Sequence, residues 1–296
     1  MTVILGGAEL TRTIRAEVST RAAALTERGV TPALAVVTAT DDESTAWYVR
    51  SIAAAAARTG ISCDVIDLGP DADTAELLSV LADLDEDPRI HGVILQTPLP
   101  DGVDLAILRA AISPEKDIDG ASPGSLGRLV AGQRAFAPAT AQAVLDLLDH
   151  HGIELDGRVA AVIGRSIVVG TPVANMLVQR DATVTVCHRH TRDLAASTRT
   201  ADIVVVAVGV PGLLKAEHIA EGATIIDVGT TATADGRLLG DVDADSVDGR
   251  AGGLTPVPGG VGPVTTALLL ANTVTAATDL SGLSQLTDAE LVGAAG

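Results

Sequence analysis

Two polar segments that follow apolar runs carry residue types suited to ligand chemistry. Gln96 comes directly after the apolar run 92–95 and opens the segment Gln-Thr-Pro-Leu-Pro, in which two prolines stiffen the backbone. Its side-chain amide offers both a donor and an acceptor. The second segment, 114–120, groups Glu115, Lys116, Asp117 and Asp119 before a glycine turn. Helix capping or a plain surface loop would explain this second segment equally well.

The aromatic residues are so few that their placement is informative. Aromatics make up 1% of the chain, and Trp47 and Tyr48, the only tyrosine, are adjacent. In a core built without aromatics, this pair favours a use toward a ligand, such as covering a flat heterocycle. An ordinary amphipathic core contact is the alternative.

A glycine-containing turn after the apolar run 159–163 predicts a phosphate-binding loop. Gly164, Arg165 and Ser166 follow this run, and Gly170 comes where a helix should open. A sharp turn there can present backbone N–H groups to a phosphate. The full three-glycine fingerprint is missing, so a plain tight turn is the alternative.

The end of the next apolar run, 182–187, indicates which dinucleotide would bind. An NAD site carries a carboxylate there for the ribose hydroxyls, but this chain has no carboxylate until Asp193. Arg189 could instead bind a 2′-phosphate, with Arg165 approaching from the first loop. NADP is therefore preferred over NAD, and a solvated basic cluster is the alternative.

Alternating helical and apolar segments must position these loops. Helical patterns at about 8–28, 45–59 and 72–84 alternate with apolar segments, and four Val- and Ile-rich runs follow in the second half of the chain. The apolar segments are 33–37, 63–68, 92–96, 159–163, 182–187, 203–208 and 224–228. This alternation predicts an α/β fold with a mainly parallel sheet, and the four later runs are expected to be buried on both faces. Ligands bind at the carboxyl ends of such strands.

Composition and charge exclude several classes of protein. Hydrophobic residues make up 47% of the chain, so a well-buried core is expected. The net charge of −18 argues against a nucleic-acid partner. We expect no metal site, no signal peptide in residues 1–7 and no uninterrupted apolar run long enough to span a membrane. A cytoplasmic location follows.

Together these motifs resemble the bifunctional methylenetetrahydrofolate dehydrogenase/cyclohydrolase family over nearly the whole chain, from about Leu5 to Leu280. The most specific match is Pro-Gly-Gly-Val-Gly-Pro at 258–263, inside a rigid but glycine-rich segment that lets backbone approach a ligand closely. The other matches, in the family's order, are Gln-Thr-Pro-Leu-Pro at 96–100, Lys-Asp-Ile-Asp-Gly at 116–120, Gly-Arg-Ser at 164–166 and Ile-Asp-Val-Gly at 226–229.

The resemblance implies two α/β domains, an N-terminal catalytic domain and a Rossmann-type dinucleotide-binding domain. Residues 1–140 would form the catalytic domain, completed by a C-terminal helix over 265–280 that returns to it. Residues 141–264 would bind NADP, and 281–296 would be a tail that forms a loose terminal helix. A homodimer is also implied, with a small-molecule folate as the substrate.

The resemblance also implies residue roles. Tyr48, Gln96 and Asp119 would be the catalytic residues and would contact the folate, together with Gly262 and Pro263. Tyr48 would lie beside the pterin and aminobenzoyl rings, and Gln96 would lie near the reacting carbon. Asp119 would accept N–H bonds from the aminopyrimidine edge. The predicted cofactor residues are Gly164, Arg165, Ser166, Arg189 and Thr230.

The expected reaction moves a hydride from the methylene bridge of the folate to NADP and leaves a methenyl product. The family's second step, hydrolysis of that product, uses a lysine four residues after the tyrosine, in the pattern Tyr-Val-x-x-Lys. Here Ile52 stands in that place, on the same helix face as Tyr48. We therefore expect a dehydrogenase whose cyclohydrolase activity is lost or weak. A bifunctional enzyme and a non-catalytic folate- and NADP-binding homologue are the alternatives.

Overall fold

Helices and strands alternate along the chain, and the computed structural model describes residues 1–233 and 236–283. The strands are β1 (Val3–Ile4), β2 (Ala33–Thr38), β3 (Ser62–Asp67), β4 (Gly92–Leu95), β5 (Val159–Ile163), β6 (Thr183–Cys187), β7 (Ile203–Val206), β8 (Thr224–Asp227), β9 (Thr231–Ala232), β10 (Leu238–Leu239) and β11 (Gly253–Leu254). The α-helices are α1 (Ala8–Glu27), α2 (Glu43–Arg58), α3 (Thr74–Glu86), α4 (Leu105–Ala110), α5 (Pro123–Val130), α6 (Ala139–His150), α7 (Gly170–Gln179), α8 (Leu194–Thr198), α9 (Ala244–Val247) and α10 (Val261–Leu280).

The chain packs into two units, which we name by their sheets. The three-stranded unit comprises Arg12–Ala139 and the described residues from Thr266 onward. Its sheet has the parallel order β3-β2-β4, with β2 buried along its whole length. The six-stranded unit comprises Met1–Thr11 and Thr140–Thr265. Its sheet has the parallel order β1-β11-β8-β7-β5-β6, so the predicted α/β class is confirmed.

Side-chain caps determine where the predicted helices begin. Helix α2 starts two residues before the expected position because Asp42 accepts the N–H of Thr45 at 2.7 Å. Helix α3 starts two residues after the expected position because Asp73 accepts the N–H of Glu76 at 2.8 Å. An aspartate cap therefore sets the first residue of both helices.

One of the four strands expected to be buried on both faces is not buried. Strands β7 and β8 are buried throughout and β5 is buried except at its first residue. Strand β6 is the edge of the sheet, and Thr183, Thr185 and Val186 in it are exposed. The expectation was wrong for β6 because an apolar run does not reveal whether a second neighbour covers the strand.

The packing units and the predicted domains differ at the N-terminus. Residues 1–11 pack with the six-stranded unit, because β1 pairs with β11. Helix α10 packs with the three-stranded unit from Thr266 onward. The domain boundaries themselves stay a prediction. The predicted helix in the tail lies outside the described residues from 284 to the end.

Helix α10 meets the length and composition that a membrane span needs, although Gly262 and Pro263 interrupt its apolar run. Its most apolar window has a mean hydropathy of 1.2, and 72% of that window is buried. A buried core helix of a soluble protein has the same properties, so this helix is weak evidence for a membrane.

Candidate functional site

Gly164 gives the loop after β5 a conformation that other residues would not adopt. Its φ is +122°, and its N–H donates to the carbonyl of Cys187 at 2.9 Å. A Cβ at this position would overlap the carbonyl oxygen of Ala207, and one on Gly170 would overlap the carbonyl oxygen of Gly164. The turn from β5 into α7 therefore requires glycine at both of its ends.

Ser166 holds the start of α7, while the loop before the helix keeps its N–H groups available. The hydroxyl of Ser166 accepts a hydrogen bond from the N–H of Val169 at 3.2 Å. The backbone carbonyl of Ser166 accepts one from the N–H of Thr171 at 3.0 Å. Within the described part of the chain, the backbone N–H groups of 165–168 donate to no protein acceptor. Arg165 and Ser166 are exposed. Such N–H groups at a helix N-terminus suit an anion.

The end of β6 offers a guanidinium and no available carboxylate. Arg189 is exposed, and its Nε donates to Nε2 of His190 at 3.2 Å. Asp193, the first carboxylate after β6, caps α8 by accepting the N–H of Ala196 at 2.8 Å. Cys187 is paired with Ile163, so the loops after β5 and β6 leave neighbouring strand ends. An arginine there fits a 2′-phosphate, and the capping role of Asp193 weakens the case for an NAD-type ribose contact.

Thr230 is exposed after β8, beside a fully buried network of carboxylates. Asp227 accepts the N–H groups of Gly229 and Asp241, each at 2.9 Å, and of Val242 at 3.0 Å. Burial raises the pKa of Asp227, and the three N–H donors act against that effect. The described residues of the six-stranded unit thus bring all five predicted cofactor residues to the carboxyl edge of its sheet. The positive φ of Gly164 and the available N–H groups fit a dinucleotide diphosphate.

Tyr48 lies on α2, half-buried, with its hydroxyl near two residues of the same unit. The hydroxyl hydrogen-bonds with Thr266 of α10, and the carboxylate of Asp119 is near enough to interact with it. Burial and the charge of Asp119 raise the pKa of Tyr48 to about 12. Tyr48 therefore stays protonated at neutral pH, so its hydroxyl can take part in hydrogen bonds but is not a base.

Asp119 has an acidity unusual for a carboxyl group. Burial, followed by the charge of Asp117, raises the pKa of Asp119 to about 7, against the opposing effect of Arg109. Asp117 is buried and accepts the N–H groups of Ala121 and Ser122 at 3.1 and 2.7 Å, so it shapes the loop behind Asp119. A carboxyl group with such a pKa exchanges its proton near neutral pH.

Gln96 ends strand β4 with its amide turned along the backbone. Its Nε2 donates to the carbonyl of Thr97 at 2.9 Å, and its N–H donates to the carbonyl of Val37 at 2.8 Å. The peptide bond between Thr97 and Pro98 is cis. Strand β4 pairs with β2, so Gln96 lies at the carboxyl edge of the three-stranded sheet, where ligands of α/β proteins bind.

The three-stranded unit has a buried positive charge at Lys116 and none at Ile52. Ile52 is completely buried on α2, one turn after Tyr48. Lys116 is also buried, but its Nζ donates to the carbonyls of Leu84, Asp85 and Asp87 at 3.0, 2.6 and 2.8 Å. These carbonyls lie at the end of α3, so Lys116 stabilises that helix end and its ammonium is occupied there.

Gly262 and Pro263 lie in the first turn of α10, where proline is tolerated. Gly262 is exposed and Pro263 is half-buried. Both pack with the six-stranded unit, whereas Tyr48, Gln96 and Asp119 belong to the three-stranded unit. Within the three-stranded unit, the structure brings Tyr48 and Asp119 together.

Sequence reasoning missed three residues that shape these sites: Arg109, Thr266 and Asp241. Each acts on a residue that is distant in the sequence. A usable signal existed for Asp241 alone, because it is an acidic residue inside the otherwise apolar segment Leu-Leu-Gly-Asp-Val. A charge in such a segment needs a buried partner.

Two family descriptions together match most of the chain. Residues 5–119 match "Tetrahydrofolate dehydrogenase/cyclohydrolase, catalytic domain". Residues 138–281 match "Tetrahydrofolate dehydrogenase/cyclohydrolase, NAD(P)-binding domain". The division falls near the start of α6. Tyr48, Gln96 and Asp119 lie in the first region, whereas all five predicted cofactor residues lie in the second, together with Gly262 and Pro263.

Known proteins are similar over nearly the full length. "Bifunctional protein FolD 1" of Rhodococcus jostii (strain RHA1) is 70% identical over 277 residues, which are 94% of this chain and 93% of the relative. A bifunctional methylenetetrahydrofolate dehydrogenase/cyclohydrolase from Campylobacter jejuni has a TM-score of 0.91 and 38% identity, covering 94% of this chain and 99% of that one. The Trypanosoma brucei enzyme, solved with NADP cofactor and inhibitor, has a TM-score of 0.90 and 39% identity, with coverages of 94% and 98%.

Proposed function

The chain belongs to the tetrahydrofolate dehydrogenase/cyclohydrolase family, and on this premise we propose that it oxidises 5,10-methylenetetrahydrofolate to 5,10-methenyltetrahydrofolate with NADP. The predicted family, the predicted enzyme class and the NADP cofactor are confirmed. The observation that carries the proposed reaction is that all five predicted cofactor residues lie at the carboxyl edge of the six-stranded sheet. The chain also retains Tyr48, Gln96 and Asp119.

The cofactor half contributes binding and orientation. The N–H groups of 165–168 would hold the diphosphate, and Arg189 would bind the 2′-phosphate. Thr230 would lie beside the nicotinamide ribose. Bound NADP supplies a ring that accepts a hydride. The role of the protein is to hold that ring in one orientation, which supplies much of the rate enhancement of a reaction that needs no acid or base.

The folate half contributes recognition. An ionised Asp119 would accept N–H bonds from the aminopyrimidine, and the hydroxyl of Tyr48 would orient the adjacent rings. Gln96 would lie near the methylene carbon, whose C–H bond breaks as the hydride leaves and the methenyl cation forms. The half-buried positions of Tyr48 and Gln96 support such contacts, because each side chain is reachable and has a fixed backbone.

Two hypotheses remain for the second step, in which water adds to the methenyl carbon. Complete burial of Ile52 supports loss of this step, because no ammonium stands beside Tyr48. The comparisons favour the bifunctional alternative, since the relatives from Rhodococcus and Campylobacter are both named bifunctional.

A product assay tests both steps at once. Purified protein is given 5,10-methylenetetrahydrofolate and NADP, and methenyl and formyl products are separated beside a control without enzyme. NADPH formation with accumulation of the methenyl form supports a single-function dehydrogenase. Formyl product above the control identifies a bifunctional enzyme. Binding of NADP and folate without NADPH formation would overturn the proposed reaction in favour of a non-catalytic binding protein.

The remaining predictions are proposals by resemblance. We propose a homodimer in the cytoplasm, and neither nucleic acid nor membrane as a partner. Sedimentation of the purified chain measures the oligomeric state directly, and a monomer at micromolar concentration would contradict the first of these proposals.

A further inference from the structure

Asp241 is a buried carboxylate that the reaction proposed above does not use. Its side chain is completely buried, and its Oδ2 accepts the N–H groups of Val208 at 2.7 Å and Gly209 at 3.0 Å. These two residues follow strand β7 and are separated from Asp241 by more than thirty positions. Asp241 thus fixes the backbone of the loop that leaves β7.

The same residue is tied to the loop that leaves β8. The N–H groups of Asp241 and Gly229 share one acceptor, Oδ1 of Asp227, each at 2.9 Å. A Cβ on Gly229 would lie 2.5 Å from Oδ1 of Asp241, so the glycine packs directly on this carboxylate. Thr230, the predicted ribose contact, is the next residue. Asp241 therefore connects two loops at the carboxyl edge of the sheet.

This connection reaches the phosphate-binding turn. Ala207 precedes Val208, and its carbonyl oxygen occupies the space where a Cβ of Gly164 would lie. The N–H of Ala207 donates to the carbonyl of Ile163 at 2.8 Å. A shift of the loop after β7 would therefore move against Gly164 as well. Asp241 thus contacts the loops after β7 and β8 directly, and the loop after β7 in turn contacts the turn after β5.

We propose that Asp241 is a positioning residue for NADP, holding the loops after β7 and β8 in the arrangement that the cofactor requires. The inference rests on the proposed function for the identity of the cofactor. It differs from the roles assigned to Gly164, Arg189 and Thr230 because Asp241 is completely buried and would act through backbone N–H groups.

The chemistry of the site predicts which substitution is tolerated. Oδ1 of Asp241 is buried and has no hydrogen-bond partner among the described residues, whereas Oδ2 accepts both N–H groups. An asparagine can keep its carbonyl oxygen toward Val208 and Gly209 and place its amide nitrogen where Oδ1 lies. Asp241→Asn should therefore keep the loops in place but lower the stability of the protein, because its amide N–H groups find no acceptor at the Oδ1 position. Asp241→Ala instead leaves the N–H groups of Val208 and Gly209 unpaired, so the loops themselves lose their anchor.

Calorimetric titration with NADP measures the effect without turnover. We expect Asp241→Ala to weaken NADP binding by about tenfold or more, and Asp241→Asn to stay within about threefold of the unchanged chain. In the product assay, KM for NADP should rise in Asp241→Ala, while KM for the folate should not change.

Asp243→Ala is the matched control. Asp243 lies two residues further along the same segment and caps α9 by accepting the N–H of Ser246 at 3.0 Å. Its loss should lower the melting temperature and leave NADP affinity unchanged. If Asp243→Ala weakened NADP binding as much as Asp241→Ala, general destabilisation would explain both and the inference would be wrong.

Gly229→Ala tests the same contact from the opposite side if Asp241→Ala does not fold. Its methyl group would meet the carboxylate of Asp241, so NADP affinity should again fall. Normal NADP affinity in a folded Asp241→Ala or Gly229→Ala variant overturns the positioning role alone. If the wild-type protein binds no NADP, both the proposed function and the inference are wrong. If it binds NADP but forms no NADPH from the folate, only the proposed reaction is wrong.

Discussion

The two units of this protein carry their predicted functional residues in different ways. On the six-stranded sheet, the cofactor edge is built mainly from backbone: the positive φ of Gly164, the N–H groups of 165–168 and loops held by buried carboxylates. In the three-stranded unit, each proposed role belongs to one side chain, such as Tyr48 or Asp119. A site made of backbone tolerates many changes of side chain, whereas a site made of side chains can lose one step through one substitution.

Ile52 is the point at which this difference matters most. The chain retains the predicted dinucleotide loop, yet the position one turn after Tyr48 carries an apolar residue. Hydride transfer depends on orientation, so it can survive such a change, whereas hydrolysis depends on a proton acceptor. Substitutions in each of the two units test this difference.

Ile52→Lys should give the largest effect. If the rest of the site is intact, an ammonium beside Tyr48 should raise the rate of methenyl hydrolysis by about 100-fold or more. The chain should also become less stable, because a charge enters a buried position. Hydrolysis is followed by the loss of methenyl absorbance, with Ile52→Met as the uncharged control. Equal rates in the two variants would mean that other residues of the site have also changed.

Gly164→Ala should remove most cofactor binding. Its methyl group would meet the carbonyl oxygen of Ala207, and a displaced phosphate loop should reduce NADP affinity by about 100-fold. Gly152 has a positive φ of +67° and open space around an added Cβ. Gly152→Ala therefore places a methyl group at a positive-φ position without a clash, and its NADP affinity should remain normal in a calorimetric titration.

Arg189→Ala should change which dinucleotide is used. Loss of the guanidinium should raise KM for NADP by about 10- to 100-fold and leave KM for NAD unchanged. Arg192 is exposed nearby and makes a suitable control substitution, Arg192→Ala. If both variants weakened NADP binding equally, the preference would come from a diffuse positive field instead of one contact.

Asp119 should make folate binding depend on pH, with the smallest effect of the four. Since burial raises its pKa to about 7, ionisation and thus pterin binding should increase as pH rises, lowering KM for the folate roughly tenfold between pH 6 and 8. The raised pKa also means that folding binds a proton, so stability falls as pH rises from about 4 to 7 and is then constant. In Asp119→Asn the pH dependence of KM should vanish and the fall in stability should become shallower, because Asp227 also has a raised pKa; kinetics and thermal melting measure the two effects.

The sequence predicts the repeated elements of this fold better than the contacts between them. Strands such as β5 and β8 are found within a residue or two because their apolar runs are uninterrupted. The exposed edge position of β6 was not predictable, since it depends on which strands pair. Among site residues, Tyr48 was recognisable as the only tyrosine, but its contact with Thr266 joins two distant parts of the chain.

Buried polar residues are harder to predict from the sequence than the phosphate-binding turn. Asp241 and Lys116 stabilise loops and helix ends more than two dozen residues away, and no local spacing indicates such partners. The phosphate turn, by contrast, is local, because strand, glycine and helix follow one another directly. Predictability therefore follows the sequence separation of the interacting groups.

Lys116 makes the three-stranded unit suitable for amine-reactive labelling. The chain contains lysine only at positions 116 and 215. Three carbonyls enclose the Lys116 ammonium, whereas Lys215 is exposed on the six-stranded unit. A fluorescent ester should therefore attach at once to Lys215 and slowly to Lys116, at a rate that reports how often the end of α3 opens. A series of mass spectra over time would compare labelling of Lys116 in the three-stranded unit with labelling of Lys215 in the six-stranded unit, which serves as the reference.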